Sequence, residues 1–167
     1  MPATSRLYAS LRRRSLYVGV PPISINATRS PSDAWVAQQL REATPFGESP
    51  QYFIRDDDRK YGKHFATVAV EIDFLRTPIH APRANAYCER VIGSLRRECL
   101  DHILILSEKQ LRRLVNEYVQ YFNEDRPHQG INQRIPARSD ASPPIEGEIV
   151  ARPVLSGLHH AYSRKAA

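Results

Sequence analysis

Two acidic side chains in this chain have the chemistry and the placement that a divalent metal ion requires. Asp56 opens an acidic triplet directly after a β-prone stretch that ends at Arg55. In open α/β sheets, ligands bind at the carboxyl ends of the strands. Glu89 lies farther along the chain, on a segment with helical periodicity. Because Mg²⁺ takes one or two carboxylates together with water or phosphate oxygens, these acids would form a magnesium site if the fold brings them together.

The helix that carries Glu89 surrounds this acid with polar and basic side chains. On a wheel of 3.6 residues per turn, the neighbours of Glu89 on its face are Asn85, Arg90, Arg96 and Arg97. The opposite arc is apolar and predicts a core stripe, formed by Ala84, Cys88, Val91, Ile92, Leu95 and Cys99. Arginines beside bound metal ions would hold substrate phosphates. Two such ions would activate a water or a 3′-hydroxyl for attack on a phosphodiester.

Each acid also has a simpler interpretation. The triplet Asp56-Asp57-Asp58 is typical of a polar turn, and a Glu among arginines is typical of a solvated helix face. Local Glu–Arg pairs on such a face contribute only about 0.2–0.5 kcal/mol each. The metal-site hypothesis therefore depends on the convergence of Asp56 and Glu89, which sequence periodicity does not test.

The elements that would position these residues alternate between strand and helix. Ser30 as a cap and Pro31 in the first helical position predict a helix start. This helix should run to about Ala43, because Pro45 stops it. The other predicted elements are strand 51–55, helix 61–70, strand 71–75, loop 78–83, helix 84–101 and strand 149–155.

The strongest helical pattern belongs to a second long helix near the middle of the chain. Ser107 and Gln110 form a capping box at its start, and it ends near Glu124. Its apolar face is predicted to contain Leu111, Leu114, Val115, Tyr118 and Phe122. The alternation of strands and helices predicts a mixed α/β domain. Two or three short strands can bury only a small part of the apolar faces of two long amphipathic helices. This suggests that N-terminal strands are missing or replaced.

The composition is that of a globular protein with an excess of positive charge. The 167 residues carry a net charge of +6 and a sequence pI of about 9.6. This charge favours nucleic acid as a partner, with simple solubility as the alternative. No apolar run approaches the roughly 18 residues of a membrane helix. Cys88 and Cys99 are too few for a disulfide framework and are expected to be reduced thiols in the cytoplasm. An Arg-rich, acid-poor N-terminus leaves an organelle transit peptide as another interpretation.

Several separate motifs resemble those of one family, in the same order along the chain. The matching stretches are residues 52–62, 75–90, 93–102 and 121–130. The last of these contains Tyr121, Asn123, Arg126, Pro127 and His128, and is similar to the signature Tyr-x-Asn-x-x-Arg-Pro-His. Together they resemble bacterial insertion-sequence transposases with a retroviral-integrase-type core, the DDE superfamily. The resemblance covers residues 30–136 and, more loosely, the tail.

The resemblance implies an RNase H-like fold and strand transfer into DNA that depends on Mg²⁺ or Mn²⁺. By this resemblance, Asp56 matches the second of three metal-binding acids, with Tyr61 five residues after it, and Glu89 matches the third. Arg96 matches a basic position expected to contact DNA, and Asn85 also matches. The interval between the two acids is slightly shorter than in the family.

The first acid of the family pattern has no counterpart in this chain. The acids that precede Asp56 are Asp33, Glu42 and Glu48, and none of them lies on a predicted strand. The resemblance therefore implies a polynucleotidyl transferase core whose activity is left open.

The sequence predicts three regions. Residues 1–29 are a divergent N-terminal remnant, 30–136 a partial integrase core that is incomplete at its N-terminal strands, and 137–167 a linker and tail. The predicted function is that of a transposase or integrase catalytic-domain protein, a truncated copy with impaired activity. The alternative is a non-enzymatic fragment that binds DNA or forms oligomers and modulates a full-length transposase. The expected partners are DNA, with no membrane, and a homo-oligomer or a mixed oligomer. The expected location is the bacterial cytoplasm, with the nucleoid.

Overall fold

The computed structural model describes residues 6–11, 23–44, 52–55, 60–70, 72–76, 86–138 and 146–165. Within these ranges the chain is mixed helix and strand, as the sequence predicted. In chain order the elements are β1 (Arg6–Leu11), β2 (Ile23–Thr28), α1 (Asp33–Ala43), β3 (Tyr52–Arg55), α2 (Lys63–Val68), β4 (Asp73–Arg76), α3 (Ala86–Glu98), α4 (Glu108–Glu124), β5 (Ile149–Val154) and β6 (His159–Arg164). Among the described residues, no helix combines the length and the apolar character needed to cross a lipid bilayer.

The described strands pair two by two into three small sheets. Strands β1 and β2 are antiparallel, β3 and β4 are parallel, and β5 and β6 are antiparallel. The parallel pair is connected through α2, so β3, α2 and β4 form a βαβ unit. The smaller of two core clusters packs this unit against α1. Its buried residues are Val36, Ala37, Leu40, Phe65, Ala69 and Ile72. The α/β class is confirmed, in an arrangement of small sheets.

The start of α1 differs from the predicted one. Ser32 is the capping residue, and its hydroxyl accepts a hydrogen bond from the Trp35 amide at 3.2 Å. Ser30 instead donates its own amide to the Thr28 hydroxyl at 3.2 Å, and Pro31 lies before the cap. The prediction of Ser30 as the cap was wrong, because the helix begins two residues later, at Asp33, and Ser32 directly precedes it. The predicted end at Ala43 is confirmed.

Asp33, the first residue of α1, also holds the start of α2. Its carboxylate accepts hydrogen bonds from the backbone amides of Gly62, His64 and Phe65 at 2.8–2.9 Å, and from His64 Nδ1 at 2.9 Å. Partial burial opposes the ionised form, but these hydrogen bonds outweigh it and lower the pKa of Asp33 to about 2. A Cβ on Gly62 would stand 2.7 Å from the Asp33 carboxylate, so this close approach requires glycine.

The larger core joins elements from both ends of the chain. Helices α3 and α4 pack with the hairpins β1–β2 and β5–β6. The shared buried residues are Ile23, Ile25, Ala27, Val91, Leu95, Cys99, Leu111, Leu114, Val115, Tyr118, Phe122, Val154, Leu155 and Ala161. The boundaries predicted at residues 29 and 137 stay predictions, but residues on both sides of each contribute to this one core.

Helix α4 follows its sequence pattern closely. The Ser107 hydroxyl accepts from the Gln110 amide at 3.1 Å, and the Gln110 side chain accepts from the Leu106 amide at 2.8 Å. All five predicted apolar residues of this helix are buried. The predicted strand 149–155 is β5, whereas β6 was not predicted and turns the predicted tail into a hairpin. Cys88 and Cys99 are both free thiols, as predicted.

Candidate DNA and metal site

Helix α3 presents one polar face to solvent, and that face carries most of the predicted site residues. Glu89, Arg90, Arg96 and Arg97 are all exposed. The opposite stripe is held against the core by Val91, Leu95 and Cys99, which are 0–8% exposed. Burial of this stripe sets the rotation of the helix, because an amphipathic helix turns its apolar residues inward. The predicted orientation of Glu89 and its arginines is therefore observed.

Gly93 allows an arginine to lie along this face. It stands one turn after Glu89 and one turn before Arg97. A Cβ at Gly93 would be 3.1 Å from Arg97 Nη1, so the guanidinium group passes over the bare backbone. Among the ion pairs formed between described residues, none involves Glu89. The exposure of Glu89 and its arginines fits both the solvated-face and the metal-site interpretation, so the choice between them stays open.

The carboxylate of Glu89 affects its neighbour on the helix. Burial is the main cause of the raised pKa of Cys88, and the negative charge of Glu89 adds to it. Cys88 is therefore a neutral thiol beside a charged, solvent-facing acid. A charged and exposed carboxylate is the form that a hard cation binds.

Two of the predicted site residues, Asp56 and Asn85, lie outside the described residues. Their neighbours are described. Asp56 directly follows Arg55, the last residue of β3, and Arg55 is in register with Arg76, the last residue of β4. Both strands therefore end at the same edge, where ligands of parallel sheets bind. The distance between Asp56 and Glu89 stays a prediction.

The described residues supply one suitable metal donor at this site. No group of three or more His, Cys, Asp or Glu side chains within the described ranges could hold a metal ion. Of the acids that precede Asp56, Asp33 is engaged with α2, and Glu42 accepts from Gln38 within α1. The carboxylate of Glu89 is a suitable ligand for Mg²⁺. A complete metal site would also need Asp56.

The C-terminal end of α3 is held by a polar cluster that we call the Glu98 anchor, consisting of Glu98, Tyr118, Arg126, His128 and His159. The Glu98 carboxylate accepts from the Tyr118 hydroxyl at 2.9 Å and from Arg126 Nη2 at 2.7 Å. The backbone carbonyl of Glu98 accepts from His159 Nε2 at 2.7 Å. Burial, together with the charge of Glu98, raises the pKa of Tyr118 above its usual range, so this hydroxyl stays a donor.

His128 completes the Glu98 anchor as a neutral side chain. Its Nε2 donates to the Phe122 carbonyl at 3.0 Å, and its Nδ1 accepts from Arg126 Nη1 at 3.3 Å. Burial, with the Arg126 charge as a further cause, lowers the pKa of His128. Within the motif from Tyr121 to His128, the arginine therefore joins α3 to the segment after α4, and the histidine holds that arginine and the end of α4.

The rest of this motif also makes structural contacts. Asn123 joins α4 to β2, because its Oδ1 accepts from the Ile23 amide at 2.8 Å and its Nδ2 donates to the Ile23 carbonyl at 2.9 Å. The Tyr121 ring stacks on His159 with centroids 5.0 Å apart. Both contacts fix the surroundings of α3.

Comparison with known proteins identifies the segment that contains this face. Residues 70–136 match the family model described as an integrase core domain. This segment resembles an integrase core domain. Proteins of that family act in DNA integration and generally depend on divalent metal ions. The matched range includes Glu89, its flanking arginines and the whole motif from Tyr121 to His128.

One relative extends the similarity beyond the integrase core. The chain is 26% identical over 131 residues to a 39.2 kDa protein of insertion element IS476 from Xanthomonas euvesicatoria. The aligned region is 77% of this chain and 38% of the relative. The chain therefore spans about two fifths of the length of that relative, and the resemblance to insertion-sequence proteins is confirmed.

Sequence reasoning missed Glu98 as a structural residue of the segment that matches the integrase core domain. A signal was present, because Glu98 lies about 180° from Glu89 on the helical wheel, at the edge of the apolar arc. An acid in that place needs a partner, and such burial is costly without one. Its partners, Tyr118 and Arg126, lie on and just after α4, so only the packing of the two helices identifies them.

Proposed function

We propose that this chain binds DNA through the exposed basic face of α3, as part of an RNase H-like integrase core. The observation that carries this proposal is the face itself: one solvent-exposed acid, Glu89, flanked by Arg90, Arg96 and Arg97. Arginine guanidinium groups bind phosphate oxygens in bidentate fashion. The net charge of +6 favours the same polyanionic partner.

We further propose that Asp56 and Glu89 are the metal ligands of this core. They would hold Mg²⁺ or Mn²⁺, and a bound ion would supply Lewis-acid stabilisation of a phosphodiester. Arg97, lying over Gly93, would hold a phosphate one turn from Glu89. Arg90, Arg96 and the amide of Asn85 would contact the adjoining backbone. These contacts position a DNA strand with its phosphate against the acids.

The proposed activity of the isolated chain is binding with severely impaired strand transfer. Two-metal phosphoryl transfer uses ions on both the attacking and the leaving oxygen. The family pattern has three acids for this task, and Asp33 and Glu42 are engaged elsewhere. Assembly with a full-length transposase, in a mixed oligomer, would place this DNA-binding face beside a complete set of acids.

The experiment that tests DNA binding removes two arginines from the face. In the double variant Arg96→Ala/Arg97→Ala, affinity for a labelled duplex should fall for all sequences alike. The slope of log affinity against log salt should flatten by up to about 2 units, because fewer counterions are released. Fluorescence anisotropy at several salt concentrations measures both quantities.

A matched control distinguishes the contribution of this face to DNA affinity from that of the overall positive charge. The double variant Arg41→Ala/Arg113→Ala also removes two exposed arginines, from α1 and α4 instead of α3. We expect its DNA affinity to stay close to that of the wild type. Equal losses in the two double variants, or unchanged binding in the α3 variant, would show that this face does not contact DNA.

A further inference from the structure

The hairpin β5–β6 exposes one complete face to solvent. In the strand register, Ile149 lies opposite Arg164, Ala151 opposite Tyr162, and Pro153 opposite His160. We call the surface formed by these six residues the outer face of the hairpin. All six are exposed, with Tyr162 at 69% and Ile149 at 61%. The outer face lies beyond residue 136, outside the segment matched to the integrase core.

The other face of the same hairpin holds it to the protein. Val154 and Ala161 are buried in the larger core. Arg152 on this inner face forms an ion pair with Asp125 at 2.8 Å. Because side chains alternate between the two faces of a strand, the burial of Val154 and Ala161 on the inner face directs the outer face to solvent.

The outer face combines the rings of His160 and Tyr162 with the cationic group of Arg164. The rings of His160 and Tyr162 are 6.4 Å apart. The guanidinium group of Arg164 is held by a hydrogen bond from Nη1 to the Gly147 carbonyl at 2.8 Å. None of the six residues is acidic. This chemistry complements a polyanion that also offers flat, unpaired rings.

The hairpin is joined to the end of α3 that carries two of the proposed DNA-binding arginines. His159, the first residue of β6, donates from Nε2 to the Glu98 carbonyl at 2.7 Å. Arg96 and Arg97 lie in the last turn of the same helix. The Tyr121 ring stacked on His159 adds a second contact at this junction. His159 lies beside the turn of the hairpin, so a strand of DNA held by these arginines would approach the hairpin at its turn.

We propose that the outer face binds single-stranded DNA, with the Tyr162 ring stacked on an unpaired base and Arg164 and His160 at the backbone. Base stacking requires an accessible π-face, which a base pair inside a duplex does not offer. This inference rests on the proposed DNA-binding function and adds to it a preference for unpaired strands. It assigns a role to the segment that follows the integrase core.

The experiment measures anisotropy of the full chain with a labelled oligothymidine of about 16 nucleotides and, separately, with a duplex of the same length. Tyr162→Ala should weaken oligothymidine binding about 5- to 100-fold and leave duplex binding largely unchanged. Tyr162→Phe should retain binding, because it keeps the ring. Ser163→Ala is the control, since Ser163 is exposed on the opposite face of the same strand. Circular dichroism and thermal unfolding should show the wild-type fold for all three variants.

Each contrary outcome has a separate meaning. Unchanged oligothymidine binding by Tyr162→Ala, with wild-type duplex binding, would overturn this inference and leave the proposed function intact. Failure of the wild-type chain to bind either DNA would overturn both. A change in mass by light scattering in Tyr162→Ala without DNA, together with unchanged oligothymidine binding, would assign the outer face to a second copy of the chain.

Discussion

At the scale of single residues, the acids of this chain divide by their hydrogen bonds. Asp33 and Glu98 accept several hydrogen bonds from partners far away in sequence and act in folding. Glu89 faces solvent on α3 beside arginines. An acid whose oxygens already accept several hydrogen bonds has fewer lone pairs left for a metal ion. The proposed metal chemistry therefore belongs to Glu89 rather than to these two.

The stability contributed by Glu98 can be measured directly. Glu98→Ala leaves the buried Tyr118 hydroxyl without this acceptor and Arg126 without its carboxylate. We expect a loss of about 1–3 kcal/mol in the free energy of unfolding, measured by urea denaturation. In a double-mutant cycle with Tyr118→Phe, the two losses should add to more than the loss in the double variant, because they share one hydrogen bond.

The control for this prediction is Glu124→Ala. Glu124 is exposed, and its partner among the described residues is Gln120 on its own helix. Its removal should change stability by no more than about 0.5 kcal/mol. Strict additivity in the Glu98–Tyr118 cycle would contradict the assigned hydrogen bond.

At the scale of elements, α3 depends on its neighbours for its position. Its buried stripe packs into the larger core, and the Glu98 anchor ties its last turn to α4 and β6. Helix α4 in turn is tied to β2 through Asn123. A helix end left without such partners frays, so the arginines of the last turn are presented at a defined place because of these ties.

The tie between α4 and β2 predicts a local effect of substitution. Asn123→Ala removes two hydrogen bonds to the backbone of Ile23. The expected loss is about 1–3 kcal/mol in the free energy of unfolding. Amide exchange at Ile23 should accelerate more than exchange within α4, as measured by nuclear magnetic resonance.

Asn116 provides a control of the same residue type on the same helix. It is exposed, and Asn116→Ala should leave both the stability and the exchange at Ile23 near wild-type values. Equal effects of the two alanine variants would mean that helix propensity, rather than the contact with β2, determines the result.

At the scale of the whole molecule, the proposed site would need elements from both core clusters. Glu89 is positioned by the larger core, and β3, which precedes Asp56, belongs to the βαβ unit with the second core. The acid that the family pattern expects first lies on a strand and is matched by neither Asp33 nor Glu42, since both lie in α1. We therefore expect strand transfer by this chain to be limited by the number of metal-binding acids rather than by DNA affinity.

We expect the purified chain to bind DNA but not to cut or join it in Mg²⁺ or Mn²⁺. Mg²⁺ demands near-octahedral coordination, and two carboxylates give an incomplete set for two ions. Incubation with labelled duplex and nicked DNA, followed by denaturing electrophoresis, checks this. Reproducible cleavage that is lost in Glu89→Gln, with DNA binding retained, would sink the prediction and assign the missing role to another acid of this chain.

Much of the local structure of this protein, such as helix caps and helix faces, follows from short stretches of its sequence. The cap at Ser107, the buried face of α4 and the solvent-facing arginines of α3 all follow from residues within a few positions of each other. Periodicity of 3.6 residues and capping chemistry act over one or two turns, so they can be recognised without the fold. The family motifs are equally local, which is why the integrase core was recognisable in them.

The tertiary structure alone decided which distant residues become partners. Asp33 with the start of α2, Glu98 with Tyr118 and Arg126, and the hairpin that includes β6 all join positions well separated along the chain. Ser32 rather than Ser30 caps α1, although Pro31 and Asp33 follow Ser30 in the pattern of a helix start. These choices depend on the packing of whole elements, because a hydrogen bond forms only where burial has already brought donor and acceptor together. The distance between Asp56 and Glu89 also depends on the packing of elements that are far apart in the sequence, and so it stays a prediction.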